Sequence, residues 1–137
     1  MWNMRIWPIS FLVIFYFGIA SIPDGATARA QDRLVLKSGE SVELHPVYFV
    51  ANCQSIMIGM PELEILEGPA EVTLSVKEEM VLPRRFNCAK PVKGGKVVAT
   101  AKDIKEQAQA KLTYRINYKT KDGPRQTSRV YGVSLYP

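Results

Sequence analysis

"LTYRINYKTKDGPRQTSRVYGVSLYP", Leu112 to Pro137, is the stretch whose reading decides the fold. Leu112, Tyr114, Ile116 and Tyr118 share one side of an extended chain, and Thr113, Arg115, Asn117 and Lys119 share the other. That period of two is the signature of a half-buried strand. Tyr131, Val133 and Leu135 repeat it after a turn at Asp122-Gly123, where glycine accepts a positive φ. The two apolar rows are predicted to face one core across a hairpin, with Pro124 blocking further pairing beside the turn.

Upstream, "EVTLSVK" aligns Val72, Leu74 and Val76, and "KVVATAK" aligns Val97, Ala99 and Ala101, so both read as strands. Shorter pieces follow the same logic: "RLVLK" with Leu34 and Leu36, "SVEL" with Val42 and Leu44, "VYFV", and "LEILE" with Leu63 and Ile65. Pro46 has no ladder donor and is expected at an edge, a bulge or a break. Turn signals stand at "KSGE", "EGPA", "LPRRFN", "VKGGK" and "KDGPR". Two segments leave helix open. "DIKEQAQAK", Asp103 to Lys111, is predicted to make one or two turns across the end of the sheets. "CQSIMIGM" reads equally as strand or helical turn.

The first thirty residues have the parts of a secretory leader: Arg5, an apolar run from Ile6 to Ile22, and an exit at Ala28-Arg29-Ala30. The rival reading is an uncleaved anchor, since the run approaches a membrane-spanning length. Cleavage is expected to leave a single domain from Gln31 to Pro137, 107 residues, which is enough for one core. Its location is then periplasmic or secreted, and nucleic acid is a poor candidate partner.

Charge is unevenly spread. Gln31 to Glu79 carries 3 basic and 9 acidic residues, and Met80 to Pro137 carries 13 basic and 3 acidic. Strands from the two halves that pair would mix the signs into an ordinary solvated surface; the alternative is a basic face that meets an acidic partner. Cys53 and Cys88 are the only cysteines, and an exported chain with one pair is expected to close a disulfide.

The run "LEILEGPAEVTLSV", then "VVATA", then "LTYRINYKTKDG" and "RVYGVSLYP", resembles bacterial exported immunoglobulin-like domains. The resemblance covers Leu63 to Pro137 and rests on pattern. It implies an all-β, antiparallel sandwich of about seven strands with an adhesion, recognition or scaffold role. The disulfide departs from the antibody pattern, because Cys88 precedes "VVATA", and no Trp follows the leader.

The densest candidate contact surface is "LPRRFNCAKPVKGGK", where Arg84, Arg85, Lys90, Lys93 and Lys96 surround a cysteine. A disulfide would hold these cations on a rigid base, ready for an envelope protein or an anionic glycan or lipid surface. The plainer reading is a polar connection that happens to be basic. Arg115, Lys119, Lys121 and Arg125 complete the expected surface. No cofactor is implied and no catalytic residue is assigned, because the one histidine, His45, precedes a proline and no nucleophile, metalloprotease or phosphate-loop motif is present. A carboxylate pair, Glu62-Glu64 or Glu78-Glu79, reads as exposed surface. Two other functions fit less of the sequence. One is a small inhibitor that inserts the braced loop into a secreted enzyme. The other is copper handling by His45, Cys53, Met57 and Met60, in which a disulfide would remove the thiolate and leave His45 and Met60.

Overall fold

The computed structural model describes Asp32 to Pro137; the expected leader lies outside the described residues. Nine strands follow in order: β1 (Asp32–Lys37), β2 (Ser41–Val47), β3 (Val50–Ala51), β4 (Gln54–Ser55), β5 (Glu62–Glu67), β6 (Val72–Val81), β7 (Val92–Ala101), β8 (Ala108–Thr120) and β9 (Gly123–Tyr136). A single 3-10 turn, Arg84–Phe86, joins β6 to β7, and no α-helix occurs among the described residues. One sheet has the order β1-β9-β8-β5, a second β2-β7-β6, and β3 and β4 form a small hairpin. All pairings are antiparallel except β1 with β9.

The alternation read from the sequence builds the core. Leu112, Tyr114, Ile116 and Tyr118 of β8 and Tyr131, Val133 and Leu135 of β9 are buried. They pack with Leu34 and Leu36 of β1 and, from the other sheet, Val47, Val72, Val97, Ala99 and Ala101. One cluster thus draws on both sheets, which face each other across it. Burying these side chains is the main term holding the layers together, at about 25 cal/mol for each Å² of apolar surface removed from water.

Four local expectations need correction. "VKGGK" is no turn; it lies inside β7, where Gly94 pairs with Glu79 and Gly95 with both Val47 and Glu78. A Cβ on Gly94 would come within 2.5 Å of the Val47 carbonyl oxygen, so the glycine is there to let the strands approach. Pro124 does not stop pairing: the β8–β9 ladder runs from Thr120 opposite Gly123, through Lys119 opposite Pro124, to Ala108 opposite Leu135. Among the described residues β9 has only β8 as its neighbour here, since β1 pairs with Tyr131 to Tyr136, and a missing donor is tolerated at such an edge. "VYFV" contributes only its ends, Val47 to β2 and Val50 to β3. The segment from Asp103 makes no helical turn. Asp103 has φ 58°, Ile104 is buried with its N–H on Ser38 Oγ at 3.2 Å, and Ala108 onward joins β8. A short helix with only Ile104 and Ala108 on its apolar side could not outweigh extension of the longest ladder.

Candidate functional site: a disulfide-braced end and an adjoining groove

Three connections meet at one end of the sheets. The first, between β2 and β5, carries the β3–β4 hairpin, whose turn residues Asn52 and Cys53 have φ 51° and 58°. Positive φ at both central residues marks a primed hairpin turn. The second is the 3-10 connection between β6 and β7, and the third is the Lys121-Asp122 turn between β8 and β9. The expected disulfide is present: Cys53 and Cys88 are joined with Cα atoms 5.5 Å apart. It ties the first connection to the second. Backbone bonds tie the first to the third, from Ile58 N–H to the Lys119 carbonyl at 2.7 Å and from Lys121 N–H to the Ile56 carbonyl at 2.9 Å. Pro83, fully buried, accepts the N–H groups of Phe86 and Cys88 and seats the second loop on the core. The result is a rigid end platform rather than three independent loops.

The nine cations expected at a contact surface separate into two groups. Lys96 lies 3.1 Å from Glu43 and 3.2 Å from Glu79, Lys93 pairs with Glu78, Arg115 with Glu64 and Lys119 with Glu62. The contact with Lys96 holds the Glu43 carboxyl below its ordinary range, and the Lys96 ammonium is raised in turn. These four cations are spent on acidic residues of neighbouring strands. Arg84, Arg85, Lys90, Lys121 and Arg125 enter no ion pair among the described residues. Arg84, Arg85, Lys90 and Lys121 stand on the braced end, and Arg125 lies on β9 beside it, with its guanidinium on the Pro124 carbonyl at 3.1 Å.

A groove of about 450 Å³ opens beside this end, between β2 and the part of β9 that β1 leaves uncovered. Arg85 and Phe86 form one wall, Thr127 and Arg129 another, and His45, Tyr48 and Tyr118 lie along it. His45 reaches the groove through a bulge. The β2 ladder pairs Glu43 with Val98 and His45 with Val97, which leaves Leu44 as the extra residue and moves the inward row from even to odd positions. Val42 and Leu44 pack on the core before the shift, and His45 and Val47 face inward after it. The Nδ1–H of His45 donates to the Pro46 carbonyl at 3.0 Å, because a carbonyl only accepts; Nε2 therefore accepts the Tyr114 hydroxyl at 2.6 Å. The rings of His45, Tyr114 and Tyr131 stack nearly parallel, with centroids 6.0 Å and 6.2 Å apart.

Arg129 sits where its charge acts on His45, Tyr114, Tyr118 and Tyr131 together. Burial pushes the His45 imidazole below its ordinary range, with the Arg129 guanidinium acting in the same direction. Burial likewise raises the Tyr114, Tyr118 and Tyr131 phenols, so all three stay protonated at neutral pH. The groove is thus a neutral aromatic floor between two guanidiniums, Arg85 and Arg129, that enter no ion pair among the described residues. Arg129 was not among the residues expected to bind. Its signal was its odd position, in phase with Tyr131, Val133 and Leu135, which puts it on the core-facing side of β9.

Among the copper candidates, Cys53 is in the disulfide and has no thiolate to offer. His45 has both nitrogens engaged, Met57 packs on the core, and Met60 lies with Lys93 and Lys121 at a different surface hollow. A larger depression, about 820 Å³, lies between the 69–71 and 102–106 connections. Its rim mixes Glu71 and Glu106 with Lys102 and Lys105, so it presents no charge of one sign. Comparison with protein-family models, with curated proteins and with solved structures returns no match.

Proposed function

We propose that this protein is an exported, non-enzymatic binding module of immunoglobulin-like architecture, periplasmic or secreted, that meets its partner with the disulfide-braced end. Lettered in chain order, β1, β2, β5, β6, β7, β8 and β9 become strands A to G. Strands B, E and D then share one sheet and C, F and G the other, as in immunoglobulin domains, with A beside G. The B–C and F–G connections, which carry recognition in antibody variable domains, meet here at the braced end. A disulfide suits an oxidising compartment outside the cytoplasm. It joins two end loops instead of crossing between the sheets, so the likeness lies in architecture alone.

The observation that carries the reading is the sorting of cations. Of the nine expected cations, Lys93, Lys96, Arg115 and Lys119 on strands β7 and β8 pair with carboxylates of neighbouring strands, while Arg84, Arg85, Lys90 and Lys121 do not, and these four stand on a platform held by one covalent and two backbone ties. Pre-ordered cations lose little entropy on binding, which suits them to carboxylate or phosphate groups of an envelope protein, glycan or lipid. Crosslinked affinity capture from an envelope extract at low and moderate salt tests this. A single partner retained at moderate salt supports the reading, and no recovery at either salt overturns it.

Phe86 supports a second reading. It is 56% exposed at the tip of the braced loop, edge-on to Tyr48 with centroids 6.3 Å apart. A rigid loop presenting an aromatic side chain fits a small inhibitor that enters a secreted enzyme's active site. Tight one-to-one capture of a single hydrolase, lost on Phe86→Ala, distinguishes it.

A further inference from the structure

The outer edge of β9 is only half used. β1 pairs with it from Tyr131 to Tyr136, and among the described residues nothing pairs with that edge from Gly123 to Val130. The direction of its backbone groups follows from one bond: the Tyr136 carbonyl faces β1, where it accepts Ser38 N–H at 2.8 Å. Backbone direction alternates along a strand, so Ser134, Gly132, Val130, Ser128 and Gln126 present their N–H and C=O groups to the same side. Pro124 shares that phase and has no N–H to present. Gln126, Ser128 and Val130 therefore offer unpaired donors and acceptors in an extended row, the template for adding a strand.

Side chains of the alternate residues decide what that strand is. Arg125, Thr127 and Arg129 continue the inward row of Tyr131 and Val133, and Thr127 and Arg129 line the groove with Arg85 and Phe86. Inward charges usually guard an edge against chance pairing. Here the guard is selective, because a strand that brings carboxylates satisfies the guanidiniums while an apolar or basic strand leaves them buried and unpaired. From the open edge, the aromatic floor and the unpaired Arg85 and Arg129, we infer that β9 receives an extended acidic segment of a partner protein. It adds as a strand along Gln126 to Val130 with its carboxylates facing the groove. This continues the use that β1 already makes of the same edge. The inference rests on the binding-module reading and names the partner class, an extended acidic peptide.

The test uses an octapeptide alternating valine and glutamate, its valine-lysine counterpart, and the acidic peptide with alternate backbone N-methyl groups. Affinity is measured by calorimetry, and amide exchange of residues 126, 128 and 130 by NMR. The expected result is binding of the acidic peptide alone, with slowed exchange at those three amides. Ser128→Pro removes an outward N–H without removing a β8 bond, and should weaken binding about tenfold. Ser128→Ala should not, and Arg129→Glu should abolish binding. Equal binding of the lysine or N-methyl peptide, or no binding of the acidic one, overturns the inference. Amides already protected before peptide is added overturn it too, since the chain itself then fills the edge. A partner captured from an extract that loses affinity with Arg84→Glu/Arg85→Glu but not with Ser128→Pro leaves the module reading standing and removes only the edge.

Discussion

His45 of β2 and Tyr114 of β8 make a half-buried polar contact between the two sheets that depends on protonation. Neutral His45 accepts the Tyr114 hydroxyl at Nε2; a proton there would make the hydroxyl turn to accept instead and would set a charge in a half-buried site near the Arg129 guanidinium. Its folded value lies below the ordinary histidine value of 6.5, so between the two values the unfolded chain holds the extra proton. The contribution is therefore complete above pH 6.5 and is lost as pH falls through the lower folded value. Melting temperature should drop between pH 7.5 and pH 5, and His45→Gln should flatten that drop. Glu43, also shifted, loses its contribution only below 4.5, and its exposure makes that contribution small. Tyr114→Phe should cost about 1 to 2 kcal/mol in denaturant unfolding at pH 7.5, the cost of a buried bond whose acceptor is left unpaired. None of this was legible from "HPVYFV", because the bulge at Leu44 that turns His45 inward has no composition of its own. Arg129 was partly legible, since its odd position put it in phase with Tyr131; that it lies at a groove was not, because the groove's other wall comes from the distant 84–86 loop.

At the scale of elements, β7 is the strand on which the second sheet depends. It lies between β2 and β6, and its two glycines let both neighbours close on it. Gly94→Ala would drive a Cβ against the Val47 carbonyl, and Gly95→Ala against the Lys77 carbonyl at 2.7 Å. Either should destabilise the fold by about 1 to 3 kcal/mol, read as a lower denaturant midpoint with unchanged slope. The long strands β6, β8 and β9 were legible because each buries one face, which writes a period of two into the chain. "VKGGK" was not, since glycine-glycine signals a turn locally and close strand approach only in context. "DIKEQAQAK" failed for the complementary reason: its helix propensity is real but too short to compete with the β8–β9 ladder. The end turn falls one residue earlier than the expected Asp122-Gly123: Lys121 and Asp122 make it, and Gly123, which opens β9 opposite Thr120, takes the expected positive φ at 98°.

Across the whole molecule, the division of charge seen in the sequence is largely cancelled by folding. Among the described residues, six of the seven ion pairs join a carboxylate from the acidic half to a cation from the basic half, with Lys77–Glu43 the exception. Among the cations outside any ion pair of the described residues, Arg84, Arg85, Lys90, Lys121, Arg125 and Arg129 lie at the braced end and along the groove, a grouping the sequence showed only as an excess of positive charge. The disulfide closes a loop of sequence separation 35, and the chain-entropy model assigns it about 4 kcal/mol. Cys53→Ser with Cys88→Ser should therefore lower unfolding free energy by up to that amount in denaturant titration.

The most direct test of the account is the affinity of the captured partner for the oxidised protein and for Arg84→Glu/Arg85→Glu, measured beside the melting temperature of each. Both arginines are exposed and outside every ion pair among the described residues, so the melting temperature should stay nearly unchanged while affinity falls by at least about tenfold. Unchanged affinity at an unchanged melting temperature would contradict the central claim and remove the braced end as the contact surface.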